Sequence, residues 1–338
     1  MKRAYAFMIL SLTLGPLSAA DPPRAEISNG VIRAKLYLPD AQNGYYRGTR
    51  FDWSGVISSL EYQGHNYFGE WFEKFDPTVH DVDLTNGVRA GTPSAITGPV
   101  EEFSTNGKTL GYDEAPAGGT FIKIGVGVLR KPDEANYDHY NRYPVVDPGK
   151  WTVRRESDSI EFIQEIGGPF GYAYRYSKTV RLSKGKPEMV LEHSLRNTGK
   201  RAIETAVYDH NFLVIDNQPT GPDFVVTLPF ELRPAGGMKD LAEVSGKQLK
   251  YLRTLRDADV ATTTLSGFGP GAQDYDITVE NRKTGAGVRI TGDRPLTRLA
   301  FWSIRTVVSP EPYIRMQIEP GAEAKWRIAY NFYIVPAH

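Results

Sequence analysis

Apolar and polar residues alternate along much of the chain, most clearly in its second half. Residues 188–195, EMVLEHSL, place Met189, Leu191, His193 and Leu195 on one face and Glu188, Val190, Glu192 and Ser194 on the other, the period of a half-buried strand. KWRIAYNFYI at 325–334 repeats the pattern with Trp326, Ile328, Tyr330, Phe332 and Ile334. Comparable runs predict strands at 31–37, 121–130, 151–155, 159–165, 172–182, 203–215, 223–230, 275–280, 287–291 and 298–304. Turn sequences separate several of them: NTGK at 197–200, KTGAG at 283–287 and EPGAE at 319–323. No window of about 12 residues sustains the apolar stripe of a helix. The best helical candidate, 236–253, is interrupted by glycines and reads equally well as a loop. Many strands with no internal repeat and no linker predict one all-β domain over residues 21–338, a large antiparallel β-sandwich.

Residues 40–120 break the alternation. Segments such as GYYRGTRFDWSG and GHNYFGEWFEKF are rich in aromatics, glycine and charge, as expected of long loops over one face of a sheet. Aromatic rings beside Arg, Asp, Glu and Asn suit carbohydrate, whose C–H faces stack on rings while its hydroxyls bond planar polar groups. The alternative is that these rings fill a satellite core beneath the loops.

Composition narrows the class. The first twenty residues join Lys2 and Arg3 to an apolar run and end in small residues, the layout of a signal peptide cleaved after Ala20 and too short to span a bilayer. The expected location is periplasmic or secreted, without a membrane anchor once the leader is removed. The 338 residues carry 40 basic and 40 acidic side chains, a balance that offers nucleic acid no electrostatic footprint. Cysteine is absent, so an exported chain must be held by its core alone.

Two stretches carry candidate chemistry. YDHNFLVID at 208–216 sets Asp209, His210 and Asn211 in a row between apolar flanks. If 203–214 is one strand, Tyr208, His210 and Phe212 share a face, and apolar surroundings bring the imidazole towards proton exchange near neutral pH. A satisfied core histidine is the alternative. FWSIRTVVSPEPYI at 301–314 is an apolar strand running into Glu311 between Pro310 and Pro312, which aim the carboxylate as a general base requires. A surface turn is the alternative here. Metal chemistry has weak support: His80 with Asp81 and Asp83, or Asp138 with His139, never make three close ligands. The Gly-x-Gly at 125–127 lies inside a strand pattern with no following helix, so no dinucleotide site is expected. Glu101 and Glu102 are adjacent and would face opposite ways on a strand, which argues against a shared glycosidase role.

These stretches resemble the galactose mutarotase-like superfamily, which includes aldose 1-epimerases. YDHNFLVID is similar to that family's histidine-bearing strand and PEPYI to its glutamate-bearing strand end. IEPGAEAKWRIAYNFY is similar to its closing turn and last strand. The segments running from WTV at 151 to the Asn-Thr-Gly turn resemble its central strands. The resemblance covers about residues 150–338 well and the first half loosely. It implies an antiparallel β-supersandwich with a sugar groove, Glu311 taking the proton of the anomeric hydroxyl and His210 protonating the ring oxygen. It implies no cofactor and no metal. The family's upstream histidine in a His-Gly-Gly setting has no counterpart, since His65, His80 and His139 have other neighbours. YYRGTRFDWSG offers instead Arg47, Arg50, Asp52 and Trp53 as a polar and aromatic clamp, Arg being suited to a uronate carboxylate or vicinal hydroxyls. An Arg-Asp salt bridge closing a loop is the alternative. With His139 and Asp209 these residues make up the expected substrate contacts, the partner being a mono- or oligosaccharide. Two rival functions stay open: a non-catalytic sugar-binding protein and a lyase acting on uronates.

Overall fold

The computed structural model describes residues 21–72, 75–79, 96–103, 109–236, 238–256 and 258–336. The leader at 1–20 and His80, Asp81 and Asp83 lie outside the described residues. Two antiparallel sheets dominate. The larger has ten strands, in the order Ala242–Ser245, Gln248–Tyr251, Phe224–Thr227, Asp276–Asn281, Ala286–Gly292, Glu323–Ile334, Glu188–Asn197, Ala173–Leu182, Ser159–Gly167 and Lys150–Arg155. The smaller runs Arg233–Pro234, Ala261–Ser266, Arg298–Ile304, Val307–Ile318, Ile203–His210 and Val100–Phe103. It packs on the large sheet, with the Phe103 ring 5.3 Å from Tyr176 and 6.2 Å from Trp326. A four-stranded sheet begun by Arg24–Ser28 and a three-stranded one over 120–147 complete the structure.

The two best-patterned segments pair directly: His193 lies opposite Trp326, their rings stacked 4.6 Å apart. Met189, Leu191, Leu195, Ile328, Tyr330 and Phe332 are all buried in the common core. Each fully covered side chain of this kind contributes about 1.5–3 kcal/mol.

Three expectations about local structure are corrected. Residues 121–130 form a hairpin, Thr120–Lys123 and Gly127–Arg130, instead of one strand. Gly125 turns it at φ +80°, where an added Cβ would meet the Asp52 carboxyl at 2.8 Å. Most of 236–253 is another hairpin, Ala242–Ser245 with Gln248–Tyr251, turned at Gly246 with φ +61°. Its glycine marks a turn between strands, not a broken helix. The strand read through 301–314 is two, Arg298–Ile304 and Val307–Ile318, so Glu311 sits inside a strand and not in a surface turn.

Residues 40–120 contain the strands Val56–Tyr62 and Val100–Phe103. Their aromatics largely form a satellite core: Tyr45, Tyr46, Phe51, Trp53 and Trp71 are buried together with Phe121, Tyr143 and Phe212.

Candidate functional site

The site grows from a split in the smaller sheet. Ile203–His210 pairs with Val307–Ile318 as far as Tyr208 opposite Tyr313, and with Val100–Phe103 as far as His210 opposite Val100. Beyond Tyr313 the first ladder stops, and contact returns only as a bridge between Leu213 and Val308. Ser309 to Pro312 flank the resulting gap. Pro310 and Pro312 have the same parity, so both missing N–H groups fall on one side, while pairing with Arg298–Ile304 continues on the other. The Pro310 carbonyl marks the gap side, where the Asn211 side-chain amide donates to it at 2.8 Å. Asn211 is fixed in turn by the Tyr330 hydroxyl, donating at 2.7 Å.

Alternation then selects the side chains that meet. Tyr208 and His210 point away from the large sheet, as do Ser309, Glu311 and Tyr313. His210 Nε2 lies 3.3 Å from Glu311 Oε1, and His210 Nδ1 is 2.7 Å from Ser309 Oγ. A carboxylate only accepts, so an Nε2–H directed at Glu311 leaves Nδ1 to accept from the serine hydroxyl. The rings of Phe212 (3.7 Å, stacked), Trp302 (5.4 Å) and Phe51 (5.7 Å) enclose the imidazole. Burial, reinforced by the Arg50 charge, holds His210 well below the ordinary imidazole range, so it rests neutral at neutral pH.

Beside this pair stands a second carboxylate. Glu102 Oε2 accepts from Arg50 Nε at 2.7 Å and from the Tyr208 hydroxyl at 2.8 Å; Oε1 faces His139 Nδ1 at 2.9 Å and Lys123 Nζ at 3.4 Å. Burial opposes its charge, but Arg50, Lys123 and His139 together hold Glu102 well below the usual carboxylate range. Lys123 is pushed down to about 8 by burial, despite Glu102, and also bonds the Phe103 carbonyl at 2.6 Å and the Tyr137 hydroxyl at 3.1 Å. Tyr208 stacks on Tyr313 at 4.3 Å and joins the two carboxylate groups into one surface. His139, 28% exposed, is the part of the Glu102 group that reaches solvent.

The structure separates the other candidates. Arg50 and His139 belong to this site. Asp209 points the opposite way, into the space between the sheets, its carboxyl 3.5 Å from the Tyr330 hydroxyl; burial and Glu101 raise it well above the usual range. Asp52 is also internal, accepting from Tyr176 at 3.0 Å and Ser54 at 2.5 Å, and burial raises it to about 7. The Arg-Asp bridge is therefore not formed within YYRGTRFDWSG, because Arg50 pairs with Glu102 instead. Arg47 and Trp53 line a different hollow, a cleft of about 440 Å³. Among the described residues no group of three or more His, Asp and Glu is arranged to hold a metal.

Sequence reasoning missed Glu102, Lys123, Tyr208 and Ser309. A signal for two of them exists: Lys123 stands between Ile122 and Ile124, and a charge in such a run requires a buried acid partner.

No family profile matches this sequence, and no curated protein does. Solved structures match over nearly the whole chain. A galactose mutarotase-like protein from Lactobacillus casei aligns over 92% of this chain and 100% of its own, with TM-score 0.55 at 12% identity. A galactose mutarotase related enzyme from Lactobacillus acidophilus aligns over 93% and 98%, TM-score 0.53, 11% identity. A GalM/aldose epimerase homologue from C. elegans aligns over 93% and 99%, TM-score 0.53, 14% identity. The chain thus has the galactose mutarotase-like fold, an antiparallel β-supersandwich.

Proposed function

We propose that the protein interconverts the anomers of an aldose, with Glu311 as base and His210 as acid. The observation that carries this reading is the Glu311–His210 contact at 3.3 Å in a split of the smaller sheet. In the forward step the Glu311 carboxylate takes the anomeric hydroxyl proton, the C1–O5 bond breaks, and the imidazolium gives its Nε2 proton to O5. Rotation about C1–C2 and the reverse transfers close the other anomer. The step consumes an imidazolium, which His210's lowered position makes the minority form at neutral pH. The rate should therefore rise as pH falls from 8 towards 6. The fold likeness to epimerase homologues supports the same reading.

Non-catalytic sugar binding is the second reading. It is favoured by the resting pair itself, in which Glu311 and His210 already satisfy each other and expose only 9% and 2% of their side chains. A uronate lyase has less support, because Arg50, the arginine of this site, spends Nε on Glu102 and Nη2 on Tyr208.

Proton NMR of freshly dissolved α-glucose, α-galactose, α-glucuronate and α-galacturonate tests the proposal. Faster equilibration than the spontaneous rate, lost in both His210→Ala and Glu311→Gln, is expected. Unchanged rates for every sugar, with line broadening that shows binding, would leave the binding reading. We also propose export, on the leader at 1–20; N-terminal sequencing of protein from the periplasm should begin at Asp21.

A further inference from the structure

We propose that the cleft bounded by Arg47, Arg142 and Trp53 is a second sugar subsite, which takes an acidic unit carrying a carboxylate or a sulfate. This rests on the sugar reading of the neighbouring site. The cleft holds about 440 Å³, within the range of small-molecule pockets.

Its polar capacity is only partly used. Arg47 Nη1 donates to the Gln42 carbonyl at 2.7 Å, and Nε is buried with no hydrogen-bond partner among the described residues. Arg47 nevertheless lines the cleft, and its guanidinium brings a positive charge to that wall, where an oxyanion is favoured. Arg142 meets Asp76 only at 4.0 Å, while Asp76 Oδ1 already accepts from the Thr78 amide and hydroxyl at 2.8 and 2.7 Å. Two guanidinium groups thus line one cleft, and among the described residues Asp76, at 4.0 Å from Arg142, is the acid that meets them. Arg50 shows the contrast, being committed to Glu102 and Tyr208.

The apolar side of the cleft suits a sugar ring. Trp53, buried and held by its indole N–H donating to the Gly48 carbonyl at 2.7 Å, gives the cleft a fixed apolar floor. Val145 and Val146, 36% and 46% exposed, add a surface for C–H faces.

Position makes the cleft an extension of the site. The segment 47–53 gives Arg50 to the site and Arg47 and Trp53 to the cleft. The segment 139–143 gives His139 to the site and Arg142 to the cleft, with the Arg50 guanidinium 5.0 Å from the Tyr140 ring between them. Two short segments therefore form a common wall between the cleft and the site, the route by which an oligosaccharide held at the site would reach the cleft.

Calorimetric titration of the full chain tests this. The probes are digalacturonate, diglucuronate and dimannuronate, each against its neutral disaccharide, plus galactobiose 6-sulfate. We expect at least one acidic disaccharide to bind tenfold or more tightly than its neutral counterpart, the gap shrinking with added salt. The gap should vanish in Arg142→Ala, an exposed position whose loss the fold tolerates, and persist in part in Arg142→Lys. A preference for sulfate over uronate would identify the anion as sulfate. Equal affinity within every pair, absence of binding by all of them, or a gap that survives Arg142→Ala overturns the proposal. Monosaccharide anomer exchange is read separately. Exchange without acidic preference removes the subsite and leaves the main reading. Acidic preference without exchange does the reverse.

Discussion

Glu101 and Glu102 are neighbours on one four-residue strand, both fully buried, yet their surroundings have little in common. Glu101 faces the large sheet, where Lys178 and His193 close on it; the His193 Nε2 contact is 2.6 Å. Burial opposes its charge, but Lys178 and His193 bring it down to about 2. Lys178 and His193 are themselves inaccessible, so no part of this cluster touches water. Glu102 faces outward and collects Arg50, Lys123, Tyr208 and His139, of which His139 meets solvent. The physics of the two clusters is the same, a buried carboxylate held by cations, and only access differs. The internal ion cluster ties the two sheets together, while the outward one reaches solvent through His139.

The largest effect should come from the sealed side. Lys178→Met leaves Glu101 buried between His193 and Asp209 without its lysine, and breaking such a pair costs about 3–5 kcal/mol. Urea unfolding should show that loss, and adding Glu101→Leu should recover much of it, since a buried pair replaced by apolar groups is often neutral. If the single variant unfolds at the wild-type midpoint, the inner cluster is not a structural clamp.

The next effect is a pH dependence. Asp52 rises from its ordinary 3.8 to about 7 in the fold. Between those values the unfolded chain releases the proton and the folded one retains it, so stability falls as pH rises from about 4 to 7, by roughly 3–4 kcal/mol. Asp52→Asn cannot ionise; its one oxygen can keep the Tyr176 and Ser54 hydroxyl bonds, while its amide nitrogen faces the Ser54 N–H, a cost that does not change with pH. Thermal melts of this variant should lose that part of the slope; identical pH profiles would contradict it.

The two buried lysines shift in opposite directions. Lys178 is raised because Glu101 and Asp52 outweigh its burial, whereas Lys123 is lowered to about 8 because burial and Arg50 outweigh Glu102. From pH 8 to about 10 the folded chain has shed the Lys123 proton while the unfolded chain keeps it, which adds roughly 2–3 kcal/mol of stability. Lys123→Met should flatten this rise and Lys178→Met should not.

The legible part of the molecule is what alternates. The runs 188–195 and 325–334 show their strands because each sends one face to a common core, and Tyr208 and His210 share a face by the same rule. The strand expected over 203–214 ends at His210, and Phe212 reaches the imidazole through the tight turn that follows. Asp209 falls on the opposite face by that alternation, so its placement away from His210 was readable too. Gly125 and Gly246 misled because a single glycine inside an apolar run looks alike in a strand, a broken helix or a turn; its positive φ is settled by what packs against it, as Asp52 does against Gly125. Glu102 was set aside because adjacent carboxylates cannot share one task. The alternation behind that judgement is correct, and it is also what frees Glu102 to meet Arg50, 52 positions earlier in the chain. Contacts of that range depend on sheet order, which no local pattern reveals. The same holds for Arg47 and Trp53, which local spacing groups with Arg50 and Asp52 and which the fold sends to another hollow.

The smallest expected change in stability lies at Ser309, and it probes the outward cluster most finely. Its hydroxyl meets His210 Nδ1 at 2.7 Å, so it acts through the imidazole and holds the Nε2–H form directed at Glu311. Ser309→Ala removes one buried hydrogen bond, worth about 1 kcal/mol in unfolding experiments. It also lets Nδ1 carry the proton in the neutral ring, so nitrogen-15 NMR of resting His210 should show the two tautomers mixed. The imidazolium that the exchange step uses loses the oxygen that accepts its Nδ1–H, so less of it forms, and the anomer-exchange rate should fall roughly tenfold at unchanged substrate affinity, about 1.4 kcal/mol in the barrier. A serine that serves packing alone would lower stability and leave both the tautomer signal and the rate where they are.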